Sequence, residues 1–306
     1  MSRIPGGIYP VMITPFTADN KIDWEAVDRI VEFYIEKGCQ GVFAACQSSE
    51  IFWLNEEERV ELTARVVKAA KGRLAVVASG HTSDAIEDQI RELKRISATG
   101  VDAAVMISNR LAKQDEDDDV FIANLEKILA AIPNVTFGMY ECPYPYKRLL
   151  SGKVLKYMAE SGRFSFIKDT CCDAELIYHR LDVLKGSTVQ LFNANAATAL
   201  DTIEHGCDGF SGVMANFHPE LWTWLYANYK TQPEKAHKLN AFLSFFSGAE
   251  RCCYPVSAKY HMNLIGIPMT LVTRTRDWKE FNKLNELEVQ DLLSCEQQLK
   301  AEYGIK

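Results

Sequence analysis

The sequence predicts an α/β fold, a (β/α)8 TIM barrel with a C-terminal helical extension. Three observations predict it. Short apolar runs alternate with amphipathic helical patterns eight times before the pattern becomes helical only. The runs are almost wholly apolar, as parallel strands are when helices cover them. No glycine-rich phosphate loop follows the first run, where "MITPFTADN" stands; a doubly wound open sheet usually carries one there.

The first strand is "GIYPVMIT", followed by "DWEAVDRIVEFYIEKG" with apolar residues at helical spacing and a closing Gly38. "QGVFAAC" precedes the helix "NEEERVELTARVVKAAKG", for which Asn55 is a good N-cap. "LAVVAS" precedes "SDAIEDQIRELKRISATG", and "VDAAVMIS" precedes "DEDDDVFIANLEKILAAI". "VTFGMYE" precedes "SGKVLKYMAESG", "FSFIKD" precedes "DAELIYHRLDVLKG", and "TVQLFNA" precedes "AATALDTIEHG". The eighth pair is "CDGFSGVM" and "PELWTWLYANY". We place the barrel at residues 1–225 and the C-terminal helical region at 226–306.

Hydrophobic residues make up 47% and charged residues 25%, the balance of a globular protein in water. The net charge is −7 and no Lys/Arg block occurs, so no nucleic-acid partner is expected. "MSRIPGGIYP" has no apolar signal core, and no apolar stretch is long enough to span a bilayer. The expectation is a cytoplasmic protein without a membrane partner. None of the nine cysteines forms a CxxC pair. No metal site is expected, and the thiols read as reduced, packed small hydrophobes.

Barrel enzymes build their sites at the C-terminal ends of the strands. Lys168 ends the sixth run and Tyr140 the fifth, so both side chains are expected at the barrel mouth. An amine held there away from water has a lowered pKa and can form a Schiff base with a carbonyl substrate. A neighbouring phenol can carry the protons. Position alone favours the plainer reading, a solvated lysine and a packed aromatic.

Several motifs shift that balance by their order and spacing. They are "TPF" at 14–16, "CQSSEIFWLNEEER", "YECP", "IKD" and "HGCDGFSGVMANFHPEL". Together they resemble the dihydrodipicolinate synthase / N-acetylneuraminate lyase family of class I aldolases. The resemblance implies an imine between Lys168 and pyruvate or another 2-keto acid, with Tyr140 as the catalytic tyrosine. It implies that Ser48 and Ser49 grip the keto-acid carboxylate. Gln47 beside them and Ser211 at the end of the eighth strand complete the expected substrate-binding residues. An aldehyde is the second substrate, and a homodimer or homotetramer is the expected assembly. No cofactor is implied, because the protonated imine is the electron sink.

The chain departs from the synthases at three places. Gln47 stands where they have a relay threonine. Ser108 stands where they have a tyrosine that reaches across a subunit interface, and Pro145 where they have a carboxylate-holding arginine. Lys147 and Arg148 follow closely but read as a solvated loop. The aldehyde therefore stays open. So do three alternatives: a 2-keto-3-deoxy sugar acid dehydratase using the same imine, dihydrodipicolinate synthase proper, and a non-catalytic keto-acid-binding barrel. His81, lacking a paired ligand or acid, reads as a packed histidine. The acidic run Asp115–Asp119 reads as a helix start suited to the dipole.

Overall fold

The computed structural model describes residues 3–305; Met1, Ser2 and Lys306, at the outer ends of the two expected regions, lie outside them. Eight parallel strands form one sheet: β1 (Gly7–Ile8), β2 (Gly41–Phe43), β3 (Ala75–Ser79), β4 (Ala103–Ile107), β5 (Phe137–Tyr140), β6 (Phe164–Asp169), β7 (Leu191–Asn193) and β8 (Gly209–Phe210). Each pairs with its sequence neighbour from β2 to β8, and β8 pairs back onto β1. Between β1 and β2, the Phe43 N–H donates to Pro10 O at 2.9 Å and the Met12 N–H to Phe43 O at 3.0 Å, closing the barrel. The first apolar run extends to Thr14, yet its regular strand is only Gly7–Ile8. Pro10 has no N–H to continue a ladder, although its carbonyl still accepts.

The barrel helices are α1 (Trp24–Glu36), α2 (Glu56–Ala70), α3 (Ile86–Ser97), the single turn α4 (Ser108–Leu111), α5 (Asp118–Ala131), α6 (Gly152–Ser161), α7 (Ala174–Leu184), α8 (Ala199–Glu204) and α9 (Pro219–Asn228). Caps account for several starts. Asn55 and Glu58 form a reciprocal capping box at α2, and the Asp117 carboxylate accepts the N–H groups of Asp119 and Val120 at α5. The acidic run is thus a helix start. The turn α4 carries no apolar period of its own and was not expected.

Two cores result. Between sheet and helices lies an aliphatic layer that includes Ile8, Val42, Leu62, Leu93 and Ile167. Inside the barrel, Tyr9, Phe43, Phe166 and Phe192 fill the lumen, with ring centroids 4.6–5.8 Å apart. Tyr140 sits edge-on to Phe43, at 5.5 Å.

The C-terminal region comprises α10 (Pro233–Phe246), a 3-10 turn (Ser247–Arg251), α11 (Val256–Leu264) and α12 (Lys283–Tyr303). Buried charges join it to the barrel. Glu296 of α12 receives His218 Nδ1 at 2.7 Å and His261 Nε2 of α11 at 2.8 Å. Lys259 of α11 pairs with Glu50, in the loop after β2, at 3.3 Å. Among the described residues no helix is long and apolar enough to cross a membrane.

Candidate active site

Strand period explains why Lys168 faces the lumen. Phe166 belongs to the lumen core and Ile167 to the outer layer, so Lys168 points inward and Asp169 outward. Tyr140 and Lys168 are direct partners in the β5–β6 register. Lys168 Nζ lies 4.6 Å from the centroid of the Tyr140 ring. Lys168 is only 5% exposed, and its amine has no hydrogen-bond partner among the described residues. Burial pushes its pKa below the ordinary lysine value; Cys46, Cys142 and Glu250 act in the opposite direction. Burial also raises the Tyr140 hydroxyl well above its ordinary value, so it keeps its proton. That hydroxyl donates to Gln47 Oε1 at 3.4 Å.

On its outward side the same strand end is clamped. Arg180 of α7 bonds the Asp169 carboxylate, and lies 2.8 Å from Glu141 Oε1. Glu141 also accepts the N–H groups of Leu150 at 2.7 Å and Thr170 at 2.9 Å. These buried contacts fix where β5 and β6 end, and so where Tyr140 and Lys168 stand.

Lys168 and Tyr140 open into a cavity of about 420 Å³. Gln47 and Ser48 line it from the 3-10 turn Gln47–Ser49, whose first N–H groups carry no intrahelical bond. Ser49 stands behind that turn. Its hydroxyl accepts the Cys46 N–H at 3.1 Å and lies 2.5 Å from the carbonyls of Met12 and Ala44. Ser211 lies below the lining, its hydroxyl donating to Tyr9 O at 2.9 Å. The structure thus brings Lys168, Tyr140, Gln47 and Ser48 to one cavity, while the Ser49 and Ser211 hydroxyls are spent on backbone.

The remaining candidates separate in the same way. Ser108 is buried and its hydroxyl donates to Arg148 O of the same chain at 2.7 Å. Arg148 is not a solvated cation; its guanidinium binds the carbonyls of Lys113, Glu116 and Asp117. Lys147 is exposed at the cavity rim and donates to Thr170 O at 2.8 Å. Pro145 is exposed and does not line the cavity. His81 is buried between Gln89 and the Ile107 N–H, which it accepts at Nδ1, and burial lowers its pKa to about 4. All nine cysteines are free thiols; Cys172, at the cavity lining, and Cys295 are exposed rather than packed.

Sequence reasoning missed the contribution of the C-terminal region. Ser247, Glu250, Tyr254 and Pro255 line the cavity opposite the strand ends. Asn216 links part of this wall to the barrel: its amide oxygen accepts from Tyr34 at 2.6 Å, and its amide nitrogen lies 3.3 Å from the Tyr254 hydroxyl. The one sequence signal was the acid Glu250, set beside Arg251 in the mostly uncharged "FFSGAERCCYPV".

Comparison with known proteins gives the same fold and a family. A sequence model described as the dihydrodipicolinate synthetase family matches residues 4–292. A 4-hydroxy-tetrahydrodipicolinate synthase from Methanococcus aeolicus is 25% identical, over 86% of this chain and 89% of that one. The enzyme of that name from Laribacter hongkongensis is 28% identical, over 70% and 72%. Among solved structures, the dihydrodipicolinate synthase of Acinetobacter baumannii, complexed with pyruvate, superimposes with a TM-score of 0.84. It is 20% identical and covers 96% of this chain and 99% of its own. A prophage protein of the same family from E. coli K12, also in complex with pyruvate, gives 0.85 at 19% identity, over 95% and 98%.

Proposed function

Because the chain belongs to the dihydrodipicolinate synthetase family, we propose that it is a class I lyase or aldolase. It joins or cleaves pyruvate, or another 2-keto acid, and an aldehyde through an imine on Lys168. The observation that carries this reading is the Lys168 amine: buried, without a hydrogen-bond partner among the described residues, and open to a cavity beside Tyr140. Burial disfavours its ammonium form, and so increases the share of free amine whose lone pair can attack a ketone carbon. Attack gives a carbinolamine, and loss of water gives an iminium. The Tyr140 hydroxyl, protonated at rest and bonded to Gln47, gives a proton to the departing water and recovers it when the iminium is hydrolysed. Ser48 and the free N–H groups at the start of its turn hold the substrate carboxylate. Ser49 holds that turn in place, and Ser211 braces β8 against the first strand run.

The protein is proposed to act in the cytoplasm as a homodimer or homotetramer; a structural relative is described as a monomeric variant of dihydrodipicolinate synthase. The test of the chemistry is reductive trapping. Borohydride added with pyruvate should leave one reduced pyruvate on the chain, mapped to Lys168 and absent from Lys168→Ala. A panel of other 2-keto acids identifies the preferred donor. Absence of any adduct, or an adduct on another lysine, refutes the reading.

A further inference from the structure

Two carboxylate side chains line the cavity, Glu50 and Glu250. Glu50 is fully engaged. Lys259 Nζ stands 3.3 Å from one oxygen. The other receives Thr273 Oγ1 at 2.7 Å and the N–H groups of Arg274 at 2.5 Å and Thr275 at 2.9 Å. Glu250 is the reverse case. It sits in the 3-10 turn after α10, half-buried, with no hydrogen-bond or ion-pair partner among the described residues. The cation within electrostatic reach is Lys168. Withdrawing a carboxyl group from water without a partner is costly, and such costs gather at working sites.

We propose that Glu250 is the carbon acid–base of this site: it takes the C3 proton of the keto acid held on Lys168 and returns it to the aldehyde oxygen. The proposal rests on the Lys168 imine. The C3–H bond breaks and its proton passes to the Glu250 carboxylate. The C–H electron pair becomes the C2=C3 double bond, and the C=N π pair returns to nitrogen. The enamine C3 then attacks the aldehyde carbon, whose C=O π pair moves to oxygen. That oxygen takes the proton from Glu250, the iminium re-forms, and water hydrolyses it. Cleavage runs these steps backwards.

The other lining groups are poorly suited to this transfer. Tyr140 and Tyr254 are held protonated by burial, and Lys147 is bonded to Thr170 O. Burial raises Glu250 to about 7, with Lys168 opposing, so acid and base forms coexist near neutrality.

Exchange of the pyruvate methyl protons in D₂O, followed by ¹H NMR on the full-length protein, reports the C3 step without an aldehyde. Borohydride trapping with pyruvate reports the imine separately. Glu250→Gln should trap pyruvate at Lys168 as the wild type does, while exchange falls by ~10²–10⁴-fold. Glu250→Asp should recover part of the rate. The wild-type exchange should decline below about pH 7 as Glu250 takes a proton, and Glu250→Gln should lose that limb. The titratable and charged groups that line the cavity with it are Lys168, Tyr140, Glu50, Lys147, Cys172 and Tyr254. Exchange by Glu250→Gln within about threefold of wild type, with trapping intact, overturns the proposal. So does a Glu250→Gln protein that loses trapping as well, since Glu250 would then serve Lys168 itself. A wild-type protein that traps no keto acid removes the Lys168 reading and this proposal together, and the wild-type control distinguishes that failure.

Discussion

Lys168 at the barrel mouth and Lys259 in the C-terminal region are both buried lysines, and burial lowers the pKa of both. Their surroundings differ. Lys259 Nζ lies 3.3 Å from the Glu50 carboxylate and donates to Val272 O at 2.5 Å. It joins the segment around Thr273 to the loop after β2. That loop holds Glu50 at φ 62, a left-handed conformation uncommon for a side-chain residue and costing on the order of 1 kcal/mol. Lys168 has no such partner among the described residues; it rests above an aromatic ring and opens to a cavity. Low pKa alone therefore does not make a lysine a nucleophile. The amine must also lack a protein acceptor and face a space that a ketone can enter.

The strongest way to break this contrast is to exchange the fates of the two amines. Lys168→Ala should abolish pyruvate trapping and lower turnover on the order of 10⁴-fold or more, with no label moving to Lys259. Peptide mapping that found the label on Lys259 would show that burial alone suffices. Next in size is Tyr140→Phe, which should retain the fold by circular dichroism and slow imine formation by ~10²–10⁴-fold. A near-normal rate would remove the phenol from the chemistry of Lys168.

Lys259→Met should behave oppositely. It leaves the Glu50 carboxylate buried without its cation, and should cost about 3 kcal/mol in urea unfolding while trapping still occurs at Lys168. A variant as stable as wild type would mean that the ion pair adds nothing at this junction. The pH dependence of stability sharpens the same point. Lys259 titrates at about 8 in the fold against an ordinary 10.5. Between those values the unfolded chain binds more protons, so stability should rise with pH across that window and level off below it. Lys168 acts in the same direction, so Lys259→Met should reduce the slope without removing it. The smallest effect concerns assembly. The Ser108 hydroxyl is spent on Arg148 O within its own chain. Turnover per chain should therefore change by less than about twofold on dilution through any oligomer dissociation. A collapse in activity would show that a neighbouring subunit completes the site.

The barrel was readable from periodicity because its elements are local. The two-residue period of a strand puts Phe166 and Lys168 of "FSFIKD" on one face, and the caps Asn55 and Asp117 are visible a few residues from the groups they satisfy. Lys168 and Tyr140 could be paired because adjacent parallel strands of a barrel bring their ends to one rim. Other residues resisted such reading. Ser48, Ser49 and Ser211 look alike as hydroxyls near strand ends, yet only Ser48 lines the cavity. Which acceptor captures a short hydroxyl depends on backbone positions that no periodicity records. Arg148, read as a solvated cation, is consumed by carbonyls of the preceding loop.

By itself the sequence determined the order of strands and helices, the inward face of β6, and the lysine and tyrosine at the mouth. These follow from hydrophobic period and short-range hydrogen bonding, which act over a few residues. Only the tertiary structure decided which buried charges are satisfied. Arg180 reaches Asp169 and Glu141, Lys259 reaches Glu50 from far along the chain, and Glu250 comes to the cavity with no hydrogen-bond or ion-pair partner among the described residues, only the field of Lys168. The physical reason is that a buried charge is governed by whatever packing places within a few ångströms of it, and sequence separation sets no limit on that.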